Sequence, residues 1–365
     1  DGAGSYPVIA PGEAVACNNL TIGSNATLTL QSTSEGAGAL LTYGTVSGSA
    51  TVQQYIDEDL WHFVGIPVSG LTAATYEDQY LQSYTEATDT WTDIVEMTTP
   101  LIPGQGYALW GIAKATTFTI EGTPNSGTIN KAYTYTPGGN PSHYGFNLMG
   151  NPYPAPIDWE LLRGDYGSVY YYDNGFKSWN NGGSGSRFIP PMQGFLIAPG
   201  ATGTFTLNNT DKTPINNTQF YKSTEGQQYS ILLVTTDKSH TDNLFIDFID
   251  ETSEGFDLAW DAWKIREPEA AYPQIYSFTD ERILSIDRRP ECDMIQLGFT
   301  CSKTDLFQIA ATQINTGGPV ILEDTRENIF HDLLKGTYEF AWDPVMDNEK
   351  RFKLHLNAVG IEESQ

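Results

Sequence analysis

From Trp61 to about residue 218 the chain repeats itself. Gly65-Ile-Pro67 returns as Gly150-Asn-Pro152, Pro103-Gly-Gln-Gly-Tyr107 as Pro191-Met-Gln-Gly-Phe195, and Thr117-Phe-Thr-Ile120 as Thr204-Phe-Thr-Leu207. Tyr84 and Trp91 return, with the same spacing, as Tyr172 and Trp179. Matches in one order at a nearly constant offset of roughly 87 residues predict a duplicated antiparallel β unit, with copies at about 61–127 and 146–213. A Tyr and a Trp seven apart suit the two strands of a hairpin, where the rings meet across the pair. The glycine after each Gln permits a bulge or a close approach of two backbones. The one helical piece, Pro156–Arg163, is predicted to run one or two turns, with Asp158 as its cap and Gly164 at its end.

Residues 1–58 carry little charge and alternate finely between short strand-like segments and Gly-Ser-Asn turns. This predicts a strand-rich ramp, a small solenoid or the start of a sandwich. Composition shifts near residue 219. Residues 1–218 hold 18 acids and 6 bases, and residues 219–365 hold 27 and 13, with 208–218 as a plausible linker. Eight short apolar runs after residue 219 predict an antiparallel β-sandwich. The expected fold is therefore all-β and multi-domain: a ramp at 1–58, the duplicated unit at 59–218, and a sandwich at 219–365.

The 45 acidic residues outnumber the 19 basic ones, for a formal charge of −26. Nucleic acid and anionic membrane surfaces are poor partners for such a chain. No apolar run reaches the ~20 residues that span a bilayer, so no transmembrane segment is expected. No signal peptide is visible at Asp1. The three cysteines, Cys17, Cys292 and Cys301, read as free thiols, because one extended segment separates the last two.

Catalytic signatures are sparse. His62, His143, His240, His331 and His355 show no metal-ligand spacing, and there is no nucleophile elbow or phosphate loop. Two carboxylates of a glycosidase are not nominated by sequence among so many acids. Asp250, Glu251, Glu254, Asp257 and Asp261 cluster around Gly255. Hard oxygens on a turn are calcium-ligand chemistry, so these five are the candidate calcium ligands. The alternative is a solvated turn in which Asp257 and Asp261 bond turn amides or pair with Lys264. The hairpin Val169–Gly183 is rich in rings and amides, and Tyr170, Tyr171, Phe176, Trp179, Asn180 and Asn181 are its candidate glycan-stacking residues. The alternative is that the rings are packing. Arg163-Gly-Asp165 is a tripeptide read by some integrins, but three-residue matches arise easily by chance.

Trp61-His-Phe-Val-Gly-Ile-Pro-Val68, Phe146-Asn-Leu-Met-Gly-Asn-Pro-Tyr-Pro-Ala-Pro-Ile-Asp-Trp159, Gly255-Phe-Asp-Leu-Ala-Trp-Asp-Ala-Trp-Lys264 and Arg351-Phe-Lys-Leu-His-Leu-Asn357 with Gly360-Ile-Glu-Glu363 resemble secreted and surface proteins of Bacteroidetes. In that adhesin-like group, similar β regions precede a C-terminal sorting domain for type IX secretion. No complete sorting domain follows Gln365, so the resemblance implies a chain cut at its end or delivered otherwise. It offers no catalytic residues, and its Gly-Asn-Pro-Tyr-Pro motif looks like a fold determinant. The resulting expectation is a non-catalytic secreted or cell-surface protein for adhesion or for binding a glycan or protein. The alternatives are a structural spacer of a larger secreted protein, or a glycan-active hydrolase or its accessory region.

Overall fold

The structure is a computed structural model that describes residues 6–111, 114–138, 145–173, 175–215, 229–267, 270–279 and 282–357. His143, Asn174, residues 216–218 and Gly360–Glu363 lie outside the described residues. The chain divides into two units, Asp1–Trp179 with Gly185–Ser223, and Asn180–Ser184 with Thr224–Gln365.

In the first unit, Val8–Ile9 runs parallel to Thr29–Leu30, which runs parallel to the start of Ala50–Ile56. Ala14–Cys17 pairs in the same sense with Ala39–Thr42, and Leu20–Thr21 with Val46–Ser47. Successive short strands stacked in parallel form the coils of a small solenoid. Ile9, Leu30 and Val52 bury their side chains from coil to coil. Ala50–Ile56 alternates buried and half-buried residues, the period of a strand with one face on a core. It also pairs antiparallel with Thr116–Gly122, so main-chain bonds join the solenoid to the next layer.

Two four-stranded antiparallel sheets follow. The first is ordered Trp61–Val64, Tyr107–Trp110, Tyr80–Thr85, Thr90–Asp93, and the second Asn147–Gly150, Gly194–Ile197, Val169–Tyr172, Phe176–Trp179. Both read first, fourth, second, third along the chain. After each sheet a strand pairs back on the strand that led in: Thr116–Gly122 on Ala50–Ile56, and Gly203–Leu207 on Ile129–Tyr133. The sheets meet through reciprocal contacts. Val64 bridges Gln193 and Gln105 bridges Met149. The amide of Gly65 donates to Met192 O at 2.6 Å, and that of Gly150 to Gly104 O at 3.1 Å. This is the pattern of a two-fold interface, made within one chain.

The registers show where the two hairpins differ. Trp91 lies opposite Tyr84, with ring centroids 4.8 Å apart. Tyr172, however, lies opposite Phe176, and Trp179 opposite Val169. The second turn is shorter, so Phe176 takes the place of Trp91 and Trp179 turns into the core. The helical piece is a 3-10 turn, Trp159–Leu161, with the Asp158 carboxylate accepting from Glu160 N at 3.1 Å, followed by the α turn Arg163–Tyr166. Gly167, at φ 70°, ends it in place of Gly164. The Arg163 guanidinium is held by Glu160 at 2.9 Å. The Gly-Asn-Pro-Tyr-Pro segment is wholly internal. Asn151 Nδ2 donates to Ala155 O and Pro190 O, each at 2.8 Å, and Tyr153 Oη to Gly127 O at 2.6 Å.

In the second unit ten strands succeed one another in one hydrogen-bonded sheet, and Ala262–Trp263 adds an eleventh beside Ile283–Arg289. Phe299 on Met294–Thr300 and Phe340 on Tyr338–Trp342 have five strands between them in that order, yet their rings lie 5.0 Å apart. The sheet therefore curls until its inner face packs on itself. Leu233, Leu244, Ile295, Phe299, Phe340 and Leu354 share one core. The two layers of the C-terminal fold thus come from one continuous, nearly closed sheet. Cys17, Cys292 and Cys301 are free.

Candidate functional site

Strand alternation gives the first four-stranded sheet two unlike faces. Val64, Leu81, Tyr107 and Leu109 enter the core. Trp61, Phe63, Tyr80, Tyr84, Trp91 and Trp110 share the opposite face by their registers. Trp61 meets Trp110 edge-on at 5.4 Å. Trp91 packs on Tyr84 and stacks on Phe63 at 5.7 Å. Phe63 meets Tyr172 of the second sheet at 5.9 Å, and Tyr172 meets Phe176 at 5.2 Å. The rings from Tyr84 to Phe176 are therefore continuous across both sheets. The face is open at Tyr80, 62% exposed, and Trp91, 40% exposed.

A cleft of about 330 Å³ opens beside Phe63. Phe63, Val64 and Met192 form its apolar wall, and Ser32, Gln54, Asp57, His62, Asp173 and Gln193 supply polar groups. Most of these are held in place. Gln54 accepts from Tyr76 Oη at 2.6 Å and donates to Met192 O at 3.3 Å. Gln193 Nε2 donates to Phe63 O at 2.9 Å. Tyr55 Oη donates to the Asp57 carboxylate at 3.1 Å. His62 Nε2 lies 3.2 Å from Asp57 O, and since a carbonyl only accepts, that nitrogen carries the proton. Burial lowers the His62 pKa, against the opposing pull of the Asp57 carbonyl and the Asp57 and Asp173 charges. The Asp173 carboxyl, although the residue is exposed overall, is pushed up by desolvation, which the Lys177 and His62 charges offset in part.

The glycan-stacking residues read from the hairpin are placed otherwise. Tyr170, Tyr171 and Trp179 are buried, and Tyr171 Oη is spent on Ser186 O at 2.9 Å. Their rings fill the sheet's packing and present no stacking face. Phe176 alone among the four aromatic candidates joins the open ring row. Asn180 and Asn181 belong to the second unit. Asn180 is buried; its side-chain Nδ2 donates to Asp261 O at 3.0 Å, and its main-chain carbonyl accepts from Arg288 Nη1 at 2.8 Å. The Asn181 carbonyl accepts from Arg288 at 3.1 Å.

The acidic turn is organised around amides. Asp257 accepts from Ser253 N at 2.6 Å, and Asp261 from Asp257 N and Arg288 N, each at 2.7 Å. Lys264 pairs with Asp242 instead, at 2.5 Å. Asp250, Glu251 and Glu254 are exposed, while Asp261 is buried. Among the described residues no group of three or more His, Cys, Asp or Glu side chains is arranged to hold a metal ion. Among them, too, no helix is long and apolar enough to cross a membrane.

Phe63, His62 and Asp173 escape a sequence reading because the chain brings them together from distant segments. The available signal was aromatic alternation, in Trp61-His-Phe-Val64 and Tyr107-Ala-Leu-Trp110.

Fold and site define an all-β protein with an open aromatic sheet face beside a polar cleft. Residues 163–356 match the family described as Domain of unknown function (DUF8693), and the chain belongs to that family. Comparison with curated proteins and with solved structures gave no match.

Proposed function

We propose that this is a non-catalytic, secreted or cell-surface protein that binds a glycan on the aromatic face of its first four-stranded sheet. One observation carries this reading: six aromatic side chains occupy the face turned away from the core, with Tyr80 and Trp91 open to solvent. Exposed rings backed by half-buried ones, as Tyr80 and Trp91 are here, suit an interaction site. Flat rings accept the C–H faces of sugar rings, and the fixed amides and carboxylates of the adjoining cleft offer hydrogen bonds to hydroxyls. The net charge of −26 disfavours acidic polymers. The likeness to Bacteroidetes secreted and surface proteins of the type IX cargo kind supports the location. The common strand order and reciprocal contacts of the two sheets support an internal duplication, with one copy's outer face given to binding.

A glycan array with the folded protein tests the reading. Trp91→Ala and Tyr80→Ala are expected to weaken the best array ligand tenfold or more at unchanged melting temperature. A blank array with intact protein, or full binding by both variants, overturns it.

A further inference from the structure

We infer that Asp173 anchors the ligand in the cleft, accepting hydrogen bonds from two neighbouring hydroxyls of a neutral sugar. This rests on the glycan-binding reading above and deepens it.

The inference comes from comparing the two sheets. In each, an acidic residue lies at the hairpin turn, though not at the same position: Glu86 stands two residues after Tyr84 and Asp173 one residue after Tyr172, the tyrosines holding matching register positions. In each, a side chain of the first strand bonds back to the residue just after the lead-in strand. Asn147 bonds Thr134, which follows Ile129–Tyr133, and His62 bonds Asp57, which follows Ala50–Ile56. Asn147 and His62 hold matching positions, opposite Ile197 and Leu109 on the equivalent fourth strands.

The two places differ in what meets the carboxylate. Glu86 is 5% exposed. It accepts from Thr134 Oγ1 and Thr136 N at 2.8 Å, and from Thr136 Oγ1 and Gly145 N at 2.9 Å. All four donors come from the connection 134–146. The matching connection, 57–60, is far shorter, and the cleft opens there. Asp173 lines that cleft near His62 and Lys177, and among the described residues no hydrogen-bond donor reaches its carboxylate.

The Asp173 side chain is exposed, so in the free protein water bonds its carboxylate. A ligand in the cleft can take the place of that water with hydroxyl donors, as the chain's own donors do at Glu86. Two adjacent sugar hydroxyls match the two oxygens of a carboxylate, and a ring so held can lie beside Phe63 and Tyr172. Asp57 in the same cleft makes an acidic sugar the wrong partner.

The probes are neutral cello-, manno- and galacto-oligosaccharides and the corresponding uronate oligomers, measured by calorimetry with the full chain. Asp173→Asn keeps the size and removes the charge, and Asp173→Ala removes both. Each is expected to weaken the neutral oligomer that binds by tenfold or more with the melting temperature unchanged, and uronates are expected to bind more weakly than their neutral counterparts. If Trp91→Ala loses binding while both Asp173 variants keep it, the aromatic-face reading stands and this inference falls. Tighter uronate binding also overturns it. If no oligomer binds the intact protein, both readings fall.

Discussion

Gly65 and Gly150 face each other where the two four-stranded sheets meet. A Cβ on Gly150 would stand 2.7 Å from Gly65 Cα, and one on Gly65 would stand 2.5 Å from Asn151 O. Gly106 and Gly194 are equally confined, by the backbone at Met149 and at Phe63–Val64. No left-handed φ is involved, so close approach alone demands glycine. Gly65→Ala and Gly150→Ala are each expected to cost about 1–3 kcal/mol or more in a chemical-denaturation series, since the obstructing atoms are main chain. Gly164→Ala is the control. Nothing lies within 4 Å of its added methyl, and alanine in that helical turn is expected to be neutral or stabilising by under about 1 kcal/mol.

Asp261 gives the second unit an unusual pH dependence. Its carboxyl is pushed up to about 7, by desolvation first and by the Asp287 and Asp257 charges, against the amides of Asp257 and Arg288. The folded state therefore holds a proton that the unfolded chain, at a carboxyl pKa of 3.8, releases. The group's contribution is fully present below about pH 4 and is lost as pH rises toward about 7. Asp261→Asn is expected to flatten this limb. The check is the difference between wild-type and variant melting temperatures from pH 4 to 8, and a difference independent of pH would refute it.

How much of this architecture can be read from the chain depends on what each residue type announces. Alternation exposes the strands of the second unit wherever apolar residues carry the period, as in Met294–Thr300. It hides Ile283–Arg289, whose Ser285, Asp287, Arg288 and Arg289 look solvent-facing and are all buried. They are tolerated because Arg289 pairs with Asp287 at 2.6 Å and Arg288 with Asp247 at 3.2 Å. Tyr170, Tyr171 and Trp179 mislead in the opposite direction. Amphipathic rings suit a binding surface or a core equally well, and the short turn at Asp173 decides for the core. The internal sequence match spans both sheets, yet pairs Trp91 with Trp179, because spacing along the chain says nothing about turn length. The cleft has no local pattern at all: Asp57, His62, Asp173 and Gln193 meet only once the sheets have packed.

Lys212 is a buried cation held without a carboxylate partner among its described hydrogen bonds. Its Nζ donates to Thr42 O at 2.8 Å and to Asn209 Oδ1 at 2.7 Å, and lies 4.1 Å from the centre of the Tyr153 ring. Desolvation lowers its pKa to about 8. Between about pH 8 and the ordinary 10.5 the unfolded chain holds a proton that the folded one has shed. Stability from this group therefore rises with pH across that window. Lys212→Met keeps the stem and removes the charge. It is expected to abolish the rise, at the cost of about 1–3 kcal/mol for the unpaired Thr42 carbonyl. Melting curves of both proteins at pH 7.5, 9 and 10.5 decide the matter.

Arg351 and Asp324 form a deeply buried ion pair of the second unit, with side chains 2% and 1% exposed, and Asp347, 1% exposed, reaches the same guanidinium at 3.2 Å. Arg351 Nη2 reaches Asp324 Oδ2 at 2.5 Å, and Nε reaches Oδ1 at 2.8 Å, a two-pronged contact. Tyr338 Oη adds a bond to Oδ2 at 2.8 Å, and Arg351 Nη1 donates to Ala341 O at 2.7 Å. Burial opposes ionisation of Asp324, but Arg351 and Tyr338 outweigh it and hold the carboxyl below its ordinary range. Its contribution is therefore present above about pH 4 and lost as pH falls through the lowered value. Arg351→Met alone strands the buried Asp324 carboxylate and is expected to cost about 3–5 kcal/mol, and Asp324→Leu alone, which leaves Arg351 its Asp347 partner, is expected to cost less. The joint replacement Asp324→Leu with Arg351→Met removes both charges and is expected to recover much of that loss. It is also expected to remove the acid destabilisation due to Asp324, while Asp347 keeps its pairing with Arg326 at 2.7 Å. A double-mutant cycle by urea denaturation at pH 7 and pH 4 measures both effects, and additive losses at pH 7 would show that the two side chains are not coupled.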